Sequence, residues 1–341
     1  MGRGEWPRLA EFVGDADVII HLAGVNRAAT SAAVETGNVK LAEDLAAGIA
    51  GASHPVRVIY ANSTQSETDS AYGVGKKRAA EVLADAVAAN GGTLVDAVLP
   101  NIFGEHGRPH YNSFIATFVA AVIAGEEPTI NDNQVELIHA QRVAQHLIDA
   151  LEGGQTTIRP RGATYGVRDV WHRLQNFHQI YIPHGEIPDL SDSFAVDLFN
   201  TYRSGLFPHH YPIRLVPHTD HRGTFVETVR CRGGEGQSSF SSTAPGITRG
   251  DHYHLHKIER FAVISGSAVI ELRRMFSDEI LSFAVTGKDP VAIDMPVGWV
   301  HNIRNTGDET LYTQFWSHEL FRPDAADTYP EKVRKNERTA S

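Results

Sequence analysis

Short apolar runs alternate with longer segments rich in alanine and leucine over the first half of the chain. The runs at 16–24, 55–61 and 93–99 have the length of buried strands, and each ends in small or polar residues. Helices are predicted between them over 31–52 and 72–89. Buried strands that alternate with helices of this length predict right-handed βαβ units and a parallel sheet.

The pattern then passes through more helices and becomes that of a β structure. Further helices are predicted over 113–124, 140–152, 167–182 and 194–202, with a polar strand or loop over 129–135. The stretch 204–217 has three prolines within ten residues and no clear period, which predicts a connection between domains. From Asp220 onward, short apolar runs and turn signals predict a small β-barrel.

These patterns predict an α/β domain followed by an all-β domain. At 341 residues the chain has room for both. We expect a Rossmann-like parallel sheet within 1–208, a β-barrel within 209–325 and a polar tail over 326–341.

Composition and charge restrict the partners. The formal net charge of −10 argues against a nucleic-acid or anionic-membrane surface. The single cysteine, Cys231, cannot form an internal disulfide, which suits a reducing compartment. The chain starts without an apolar signal core and has no stretch near the roughly 18 apolar residues of a membrane span. We therefore expect a cytoplasmic protein with neither nucleic acid nor membrane as a partner.

Three histidines and a glutamate in the β-rich half form a candidate metal site. His252 and His254 are two residues apart, so on a strand both imidazoles point to the same face. Glu259 follows after a predicted turn, and His301 comes after a second turn signal. Such a set suits zinc, iron, manganese or nickel, and zinc is our first expectation.

The spacing around these residues resembles the two motifs of the cupins. The residues that fit are Gly246, His252, His254, Glu259 and Gly266 in the first motif and Pro296, Gly298, His301 and Asn305 in the second. Pro290 stands where the second motif usually has a glycine. The resemblance implies a metal-binding cupin barrel but does not indicate which reaction, if any, the barrel catalyses. The alternative is a β protein with surface histidines, since the chain has 18 of them.

A tyrosine and a lysine one helical turn apart form a second candidate site. Tyr72 and Lys76 share a helix face. A nearby ammonium favours phenolate, so Lys76 is predicted to lower the pKa of Tyr72 and allow proton transfer near neutral pH. Ser63 or Thr64, at the end of the preceding strand, would hydrogen-bond a substrate oxygen. The pair by itself is a weak signal.

The order of these features, from H-L-A-G at 21–24 to P-N-I-F-G at 100–104, resembles the nucleotide-sugar branch of the extended short-chain dehydrogenases/reductases. The catalytic trio implied by the resemblance is Ser63, Tyr72 and Lys76. The implied cofactor-binding residues are Leu22, Ala23, Gly24, Tyr72 and Lys76. Asn38 would support the active site, and Asn101 would face the substrate. The alternative is an ordinary α/β core with a chance Tyr–Lys pair.

Two departures from this family matter. Its first strand and G-x-x-G-x-x-G loop, roughly 30 residues that hold the cofactor pyrophosphate, are not in this sequence. Either the recorded start of the sequence lies too far along the chain, which is the hypothesis we favour, or the reductase half is impaired. Val98 also stands where the family often has an arginine.

A reductase followed by a metal cupin resembles the bifunctional enzymes of capsular polysaccharide synthesis over almost the whole chain. The resemblance implies that the cupin half epimerises C3 of a UDP-2-acetamido-2,6-dideoxy-4-keto sugar. The reductase half would then reduce C4 with NADPH, giving UDP-2-acetamido-2,6-dideoxy-L-talose on the route to UDP-N-acetyl-L-fucosamine. NADP(H) is the expected cofactor, with NAD(H) as the alternative, and a homodimer is expected by analogy.

Some roles stay open. Arg222 lies in a stretch resembling deoxysugar 3,5-epimerases and would bind the diphosphate; the alternative is a salt-bridged surface arginine. The base that removes the C3 proton is unassigned, with Tyr253, His256 and Lys257 nearby. Two other functions are compatible: a cupin-only epimerase with an inactive reductase remnant, and a non-catalytic metal-dependent binder of sugar nucleotides.

Overall fold

The structure is a computed structural model that describes residues 3–335. The helices are α1 (Leu9–Gly14), α2 (Ser31–Ala50), α3 (Ala71–Ala89), α4 (Phe114–Ala124), α5 (Ala140–Asp149), α6 (Val167–His184) and α7 (Ser193–Leu206). The strands up to the middle of the chain are β1 (Val18–His21), β2 (Arg57–Ser63), β3 (Thr93–Leu99), β4 (Asn101–Phe103), β5 (Gln134–His139), β6 (Thr157–Ile158), β7 (Ala163–Gly166) and β8 (Ile187–Asp189).

The remaining strands are β9 (Ile213–Arg214), β10 (Pro217–Asp220), β11 (Gly223–Val226), β12 (Cys231–Gly233), β13 (Gln237–Thr243), β14 (Thr248–Tyr253), β15 (Glu259–Ser265), β16 (Ser267–Arg274), β17 (Ile280–Thr286), β18 (Val291–Met295), β19 (Trp299–Asn305), β20 (Leu311–Ser317) and β21 (Tyr329–Pro330). The predicted helices are present, close to their expected bounds.

The chain forms two compact units. The first consists of the residues up to Phe103 together with Arg108–Phe114 and Asn131–Val167. The second contains Gly104–Gly107, Ile115–Ile130 and the chain from Arg168 onward. Helices α6 and α7 thus belong almost entirely to the second unit. The two compact units are therefore divided earlier in the chain than residue 208, where we expect the first domain to end. Whether 208 separates two independently folding domains stays a prediction.

The first unit contains the predicted parallel sheet, with strand order β1-β2-β3-β6. Val58 and Ile59 of β2 and Val95 and Ala97 of β3 are fully buried, as central parallel strands require. The prediction that β1 is fully buried is wrong, since its pattern alternates and Val18 is 39% exposed. Within the described residues, β1 is an edge strand, which explains this exposure.

Capped helices pack against this sheet. The side chains of Thr30 and Ser70 accept hydrogen bonds from the N–H groups of Ala33 and Gly73, so each begins its helix as an N-cap. The apolar faces of α1, α2 and α3 then form one core with β2. A second, three-stranded sheet of order β4-β5-β7 completes the unit.

The second unit carries two five-stranded antiparallel sheets, of order β13-β20-β15-β18-β9 and β17-β16-β19-β14-β21. The predicted change from α/β to antiparallel β structure is confirmed. The expected barrel differs from the structure in one respect: in the part of the chain described here, the strands form separate sheets without a closed ring of strand pairing. Phe261 of β15 nevertheless contacts His301 of β19 across the two sheets, with ring centroids 5.7 Å apart.

The proline-rich stretch packs within the second unit. Phe207, Tyr211 and Ile213 are buried in the second unit. Strand β9, which includes Ile213, pairs with β18. The stretch was expected to connect domains because prolines break periodicity, but its apolar residues supply core contacts instead.

The described part of the expected tail also differs from the prediction. Strand β21 pairs with β14, and Val333 is completely buried. Arg334 forms an ion pair with Glu271 at 2.6 Å. Polar composition favoured a tail, but these specific long-range contacts attach residues 327–335. Residues 336–341 lie outside the described part of the chain.

Candidate functional site

Most of the predicted reductase residues line one pocket of about 490 Å³ in the first unit. The sequence-predicted residues in its wall are Leu22, Gly24, Ser63, Tyr72, Lys76 and Asn101. Ala23 lies between two of them and is half-buried. Of the two hydroxyl residues considered at the end of β2, Ser63 lines the pocket, while Thr64 begins a short 3-10 helix. The volume is in the range of small-molecule sites.

Lys76 is held in the floor of this pocket. It is only 3% exposed, and its Nζ donates a hydrogen bond to the carbonyl of Ala61 at 2.6 Å. The same Nζ lies 4.1 Å from the centroid of the Tyr60 ring. Burial lowers the pKa of Lys76 to about 8, and the nearby Asp96 carboxylate opposes this shift. The lysine is therefore still mainly charged at neutral pH and loses its proton as the pH rises through about 8.

Tyr72 differs from the prediction in the direction of its pKa. Burial raises the pKa of the Tyr72 hydroxyl, and a hydrogen bond with Ser63 only partly opposes the shift. Lys76, whose Nζ donates to the Ala61 carbonyl and lies over the Tyr60 ring, does not offset this rise in the Tyr72 pKa. The Ser63–Tyr72 hydrogen bond does place these two predicted catalytic hydroxyls together.

The loop after β1 approaches Lys76 closely. A Cβ atom built on Gly24 would lie 3.4 Å from Asn38 Oδ1 and 3.9 Å from Lys76 Nζ, ordinary contact distances that place this loop next to the lysine. Asn38 Oδ1 accepts from the Val25 N–H at 3.0 Å, and Asn38 Nδ2 donates to the Val34 carbonyl at 2.8 Å. Asn38 thus fixes the loop that carries Leu22–Gly24.

An acidic residue behind the pocket was missed in the sequence. Asp96 of β3 lies opposite Tyr60 of β2 in the sheet register. Burial raises the pKa of Asp96, whereas a hydrogen bond from Asn62 and the charge of Lys76 lower it. Asn62 Oδ1 in turn accepts from the Ser63 N–H at 2.8 Å. An acidic residue inside the otherwise apolar run Thr93–Leu99 was the available signal.

The second unit brings the four predicted metal-binding residues together. One ligand atom from each of His252, His254, Glu259 and His301 lies within 4.8 Å of the others. Glu259 Oε2 is 3.1 Å from His254 Nε2 and 3.4 Å from His301 Nε2. The ring centroids of His252 and His301 are 4.6 Å apart.

Backbone carbonyls orient these imidazoles. His301 Nδ1 donates to the Trp299 carbonyl at 3.1 Å, and His254 Nδ1 donates to the Asp327 carbonyl. His301 Nε2 is buried and has no hydrogen-bond partner among the described residues. An imidazole with one nitrogen fixed by a carbonyl and the other free inside a ring of donors is the arrangement of a metal ligand. The residues therefore fit a divalent cation.

A bulge in β14 creates this convergence. The register between β14 and β19 shifts between Gly250 and His252, after which His252 lies opposite His301. Gly250 has φ 101°, and a Cβ there would lie 2.9 Å from the His301 carbonyl oxygen, so only glycine is accommodated. Asp251, with φ 59°, accepts a hydrogen bond from Asn302 Nδ2 at 2.9 Å.

Electrostatics keep His252 available as a neutral ligand. Burial and the neighbouring histidines lower the pKa of His252 to about 4. Burial alone would raise the pKa of Glu259, but His254 and His301 outweigh it, so the net shift is downward. Neutral imidazoles with an ionised carboxylate are the protonation states that a metal requires.

The three nearby candidates for the base have other contacts. Tyr253 stacks on Tyr329, with ring centroids 5.2 Å apart. His256 Nδ1 lies 3.5 Å from Asp197 Oδ1, and Lys257 Nζ donates to Thr328 Oγ1 at 3.2 Å. Geometry therefore leaves the base unassigned.

Arg222 and Asn101 occupy exposed positions. Arg222, in the turn between β10 and β11, makes an ion pair with Asp220 at 2.5 Å and its side chain is 78% exposed. This contact corresponds to the alternative of a salt-bridged surface arginine; the predicted role in diphosphate binding is untested. Asn101 Nδ2 donates to the Glu136 carbonyl at 3.3 Å at the rim of the pocket.

Within residues 3–335, none of the helices has the length and apolar character that crossing a bilayer requires.

The chain matches two protein families in succession. Residues 3–161 match the NAD dependent epimerase/dehydratase family, and residues 218–329 match the polysaccharide biosynthesis C-terminal domain.

Individual proteins resemble the chain over nearly all of its length. It is 30% identical over 328 residues to the UDP-2-acetamido-2,6-beta-L-arabino-hexul-4-ose reductase of Pseudomonas aeruginosa, covering 94% of this chain and 87% of that protein. The crystal structure of the capsular polysaccharide assembling protein CapF from Staphylococcus aureus is similar at 30% identity and a TM-score of 0.55, covering 96% of this chain and 90% of that one.

A shorter relative matches only part of the chain. The spore coat polysaccharide biosynthesis protein SpsL of Bacillus subtilis is 27% identical over 123 residues, which are 33% of this chain and 82% of SpsL.

Proposed function

The chain belongs to the CapF-like family of nucleotide-sugar epimerase/reductases of capsular polysaccharide biosynthesis, and we propose that it acts twice on one UDP-linked ketosugar. The second unit epimerises C3 of a UDP-2-acetamido-2,6-dideoxy-4-keto sugar. The first unit reduces the C4 ketone and yields UDP-2-acetamido-2,6-dideoxy-L-talose. The P. aeruginosa relative, named as a reductase of such a 4-ketosugar, supports this substrate.

The observation that carries the proposal is the presence of two chemically different sites on one chain. The pocket with Ser63, Tyr72 and Lys76 offers proton donors. The cluster of His252, His254, Glu259 and His301 offers metal ligands. Epimerisation next to a ketone needs enolate stabilisation, whereas reduction needs a proton donor at the ketone oxygen, and these are separate tasks.

In the reductase pocket, Tyr72 gives a proton to the C4 oxygen as the ketone is reduced. Ser63 lines the same pocket, and its hydrogen bond with Tyr72 opposes the rise in the Tyr72 pKa. The Lys76 charge favours the phenolate that remains. When bound, NADPH (or NADH) would supply the hydride to C4. Leu22, Gly24, Tyr72 and Lys76, which line the pocket, would hold that cofactor.

In the second unit, we assign a cupin-type fold to the paired sheets and a divalent cation, zinc first, to the four ligands. His254 and His301 present their Nε2 atoms to the centre because their Nδ1 atoms are held by carbonyls. Glu259 supplies the carboxylate. When bound, the cation would act as a Lewis acid toward the ketone oxygen and make the C3 proton acidic. Phe261 packs edge-on against the His301 ring, with the ring centroids 5.7 Å apart.

The test is exchange of the C3 proton in heavy water. The zinc-loaded protein is incubated with the UDP-linked 4-ketosugar in D2O without NADPH, and the sugar is analysed by NMR beside an enzyme-free sample. Enzyme-dependent deuterium at C3 is expected. Subsequent addition of NADPH is expected to give the C4 alcohol with one NADPH oxidised per sugar. Absence of exchange in metal-loaded protein would contradict the epimerase half, and exchange without NADPH oxidation would contradict the reductase half.

A further inference from the structure

A segment far along the chain from the metal-binding motif lies against it. Asp327 comes 73 residues after His254, and its carbonyl accepts the hydrogen bond from His254 Nδ1. The Asp327 carboxylate accepts hydrogen bonds from three successive N–H groups: Leu255 at 3.0 Å, His256 at 2.7 Å and Lys257 at 2.6 Å.

These contacts act on the turn that separates two of the ligands. Residues 255–258 connect His254, after β14, to Glu259, the first residue of β15. Successive N–H groups that converge on a carboxylate form a rigid anion-binding turn, and bonds to an ionised acceptor are stronger than neutral ones. One residue therefore fixes both the ring orientation of His254 and the path by which Glu259 reaches the cluster.

The rest of the segment anchors Asp327. Strand β21 pairs with β14, with Pro330 opposite His252 and Tyr329 opposite Tyr253. The fully buried Val333 donates its N–H to Asp251 Oδ1 at 3.2 Å. Asp251 is the bulge residue immediately before His252, so the segment contacts the chain both before His252 and after His254.

We propose that Asp327 is a positioning residue of the metal centre, setting the affinity and geometry of the site without being a ligand. The inference rests on the proposed metal-binding role of the four-residue cluster. Carbonyl and carboxylate groups that orient metal-bound histidines typically change metal affinity by about 10 to 100-fold when they are altered.

The matched variants are Asp327→Asn and Asp324→Asn. Both remove one negative charge from the same segment. Asp324 is exposed. An asparagine at 327 keeps one oxygen acceptor but directs an NH2 group toward N–H donors. The measurements are zinc affinity, by competition with a chromophoric chelator, and the visible spectrum of the cobalt(II) form, which reports ligand geometry.

Asp327→Asn is expected to bind zinc about 10 to 100-fold more weakly than the wild type and to show an altered cobalt spectrum. Asp324→Asn is expected to match the wild type in both. Wild-type affinity and spectrum in Asp327→Asn would overturn the inference. Failure of the wild type itself to bind one zinc per chain would instead overturn the proposed metal centre.

A measurement on the wild type covers the case in which Asp327→Asn does not fold. Hydrogen exchange at the amides of Leu255, His256 and Lys257 is followed with zinc and after zinc removal by a chelator. Because the turn and the ligands are held by the same residue, removal of zinc is expected to speed exchange at these amides at least about tenfold. Unchanged exchange at all of them would overturn the inference.

Discussion

The two candidate sites are assembled in different ways. In the first unit, the candidate side chains lie in the loop after β1, at the end of β2, at the start of β4 and on the first turns of α3, around an open pocket of about 490 Å³. In the second unit, the candidate ligands lie on or beside antiparallel strands of two sheets; His301 and His254 are 0% and 1% exposed, and His252 and Glu259 are half-buried. The first arrangement accommodates large organic groups, and the second suits a small ion.

The difference also appears in how charge is controlled. Burial lowers the pKa of Lys76 to about 8, so the pocket holds a group that titrates near working pH. In the second unit, the low pKa of His252, about 4, keeps an imidazole neutral over the physiological range. The two candidate sites thus hold a titratable ammonium in an open pocket and a neutral imidazole in a partly buried cluster, the environments that proton transfer and metal binding respectively require.

The largest expected effect separates the reductase from the epimerase. Lys76→Met is expected to slow NADPH oxidation by about 10²–10⁴-fold, because the buried ammonium beside Tyr72 is lost. Exchange at C3 is expected to persist. The matched control is Lys77→Met, since Lys77 is the adjacent residue and is exposed. Equal rates of NADPH oxidation in Lys76→Met and Lys77→Met would show that Lys76 takes no part in the reduction.

The reciprocal change is His301→Ala. Loss of one of four ligands is expected to weaken zinc binding by more than about 100-fold, beyond the usual effect of groups that only orient a ligand. Zinc content after dialysis measures this loss, and the rate of C3 exchange should fall with it. His172→Ala is the control, because His172 is an exposed histidine of α6. Stoichiometric zinc in His301→Ala would show that the cluster is not the metal site.

A smaller effect is expected at the bulge. Gly250→Ala is expected to lower the free energy of unfolding by about 1–3 kcal/mol, because its φ of 101° and the 2.9 Å approach to the His301 carbonyl oppose a side chain. Gly246→Ala is the control, because Gly246 also has a positive φ, 75°, but no atom lies within 4 Å of a Cβ there. Its substitution therefore adds only the strain of the backbone conformation, without a steric contact. The free energies of unfolding of both variants are measured by denaturant titration. Equal losses of stability would show that the close approach of residue 250 to the His301 carbonyl does not oppose a side chain.

The smallest effect concerns pH. Lys76 is charged below its pKa of about 8 and neutral above it, so NADPH oxidation should fall as pH rises through this value. The Asp96 carboxylate raises that pKa, and the neighbouring His21, with a pKa of about 4, is neutral there. Asp96→Asn should move the midpoint to lower pH and increase the rate ratio between pH 6 and pH 8 by roughly threefold. A pH–rate profile measures this shift; an unchanged midpoint would exclude Asp96 as an influence.

The sequence was informative where chemistry follows local spacing. The Tyr72–Lys76 helix turn and the His252–His254 alternation depend on neighbours along the chain, so the residues that converge could be named in advance. The direction of the Tyr72 pKa was wrong because burial outweighed the expected charge effect.

What was missed depends on long-range contacts. Asp327 reaches His254 across 73 residues, and no local pattern specifies such a contact. Likewise, composition suggested a tail where β21 and Val333 are in fact attached to the second unit. The homodimer, the cytoplasmic location, the preference for NADP(H) and the role of Arg222 stay predictions.

The most direct test of a division of labour is to follow both steps in the two site variants. Lys76→Met and His301→Ala are each given the 4-ketosugar and NADPH in D2O, and deuterium at C3 and reduction at C4 are measured by NMR. The account predicts that Lys76→Met accumulates C3-deuterated ketosugar without reduction and that His301→Ala fails to exchange C3. Exchange at the wild-type rate in His301→Ala, or its loss in folded Lys76→Met, would contradict the account.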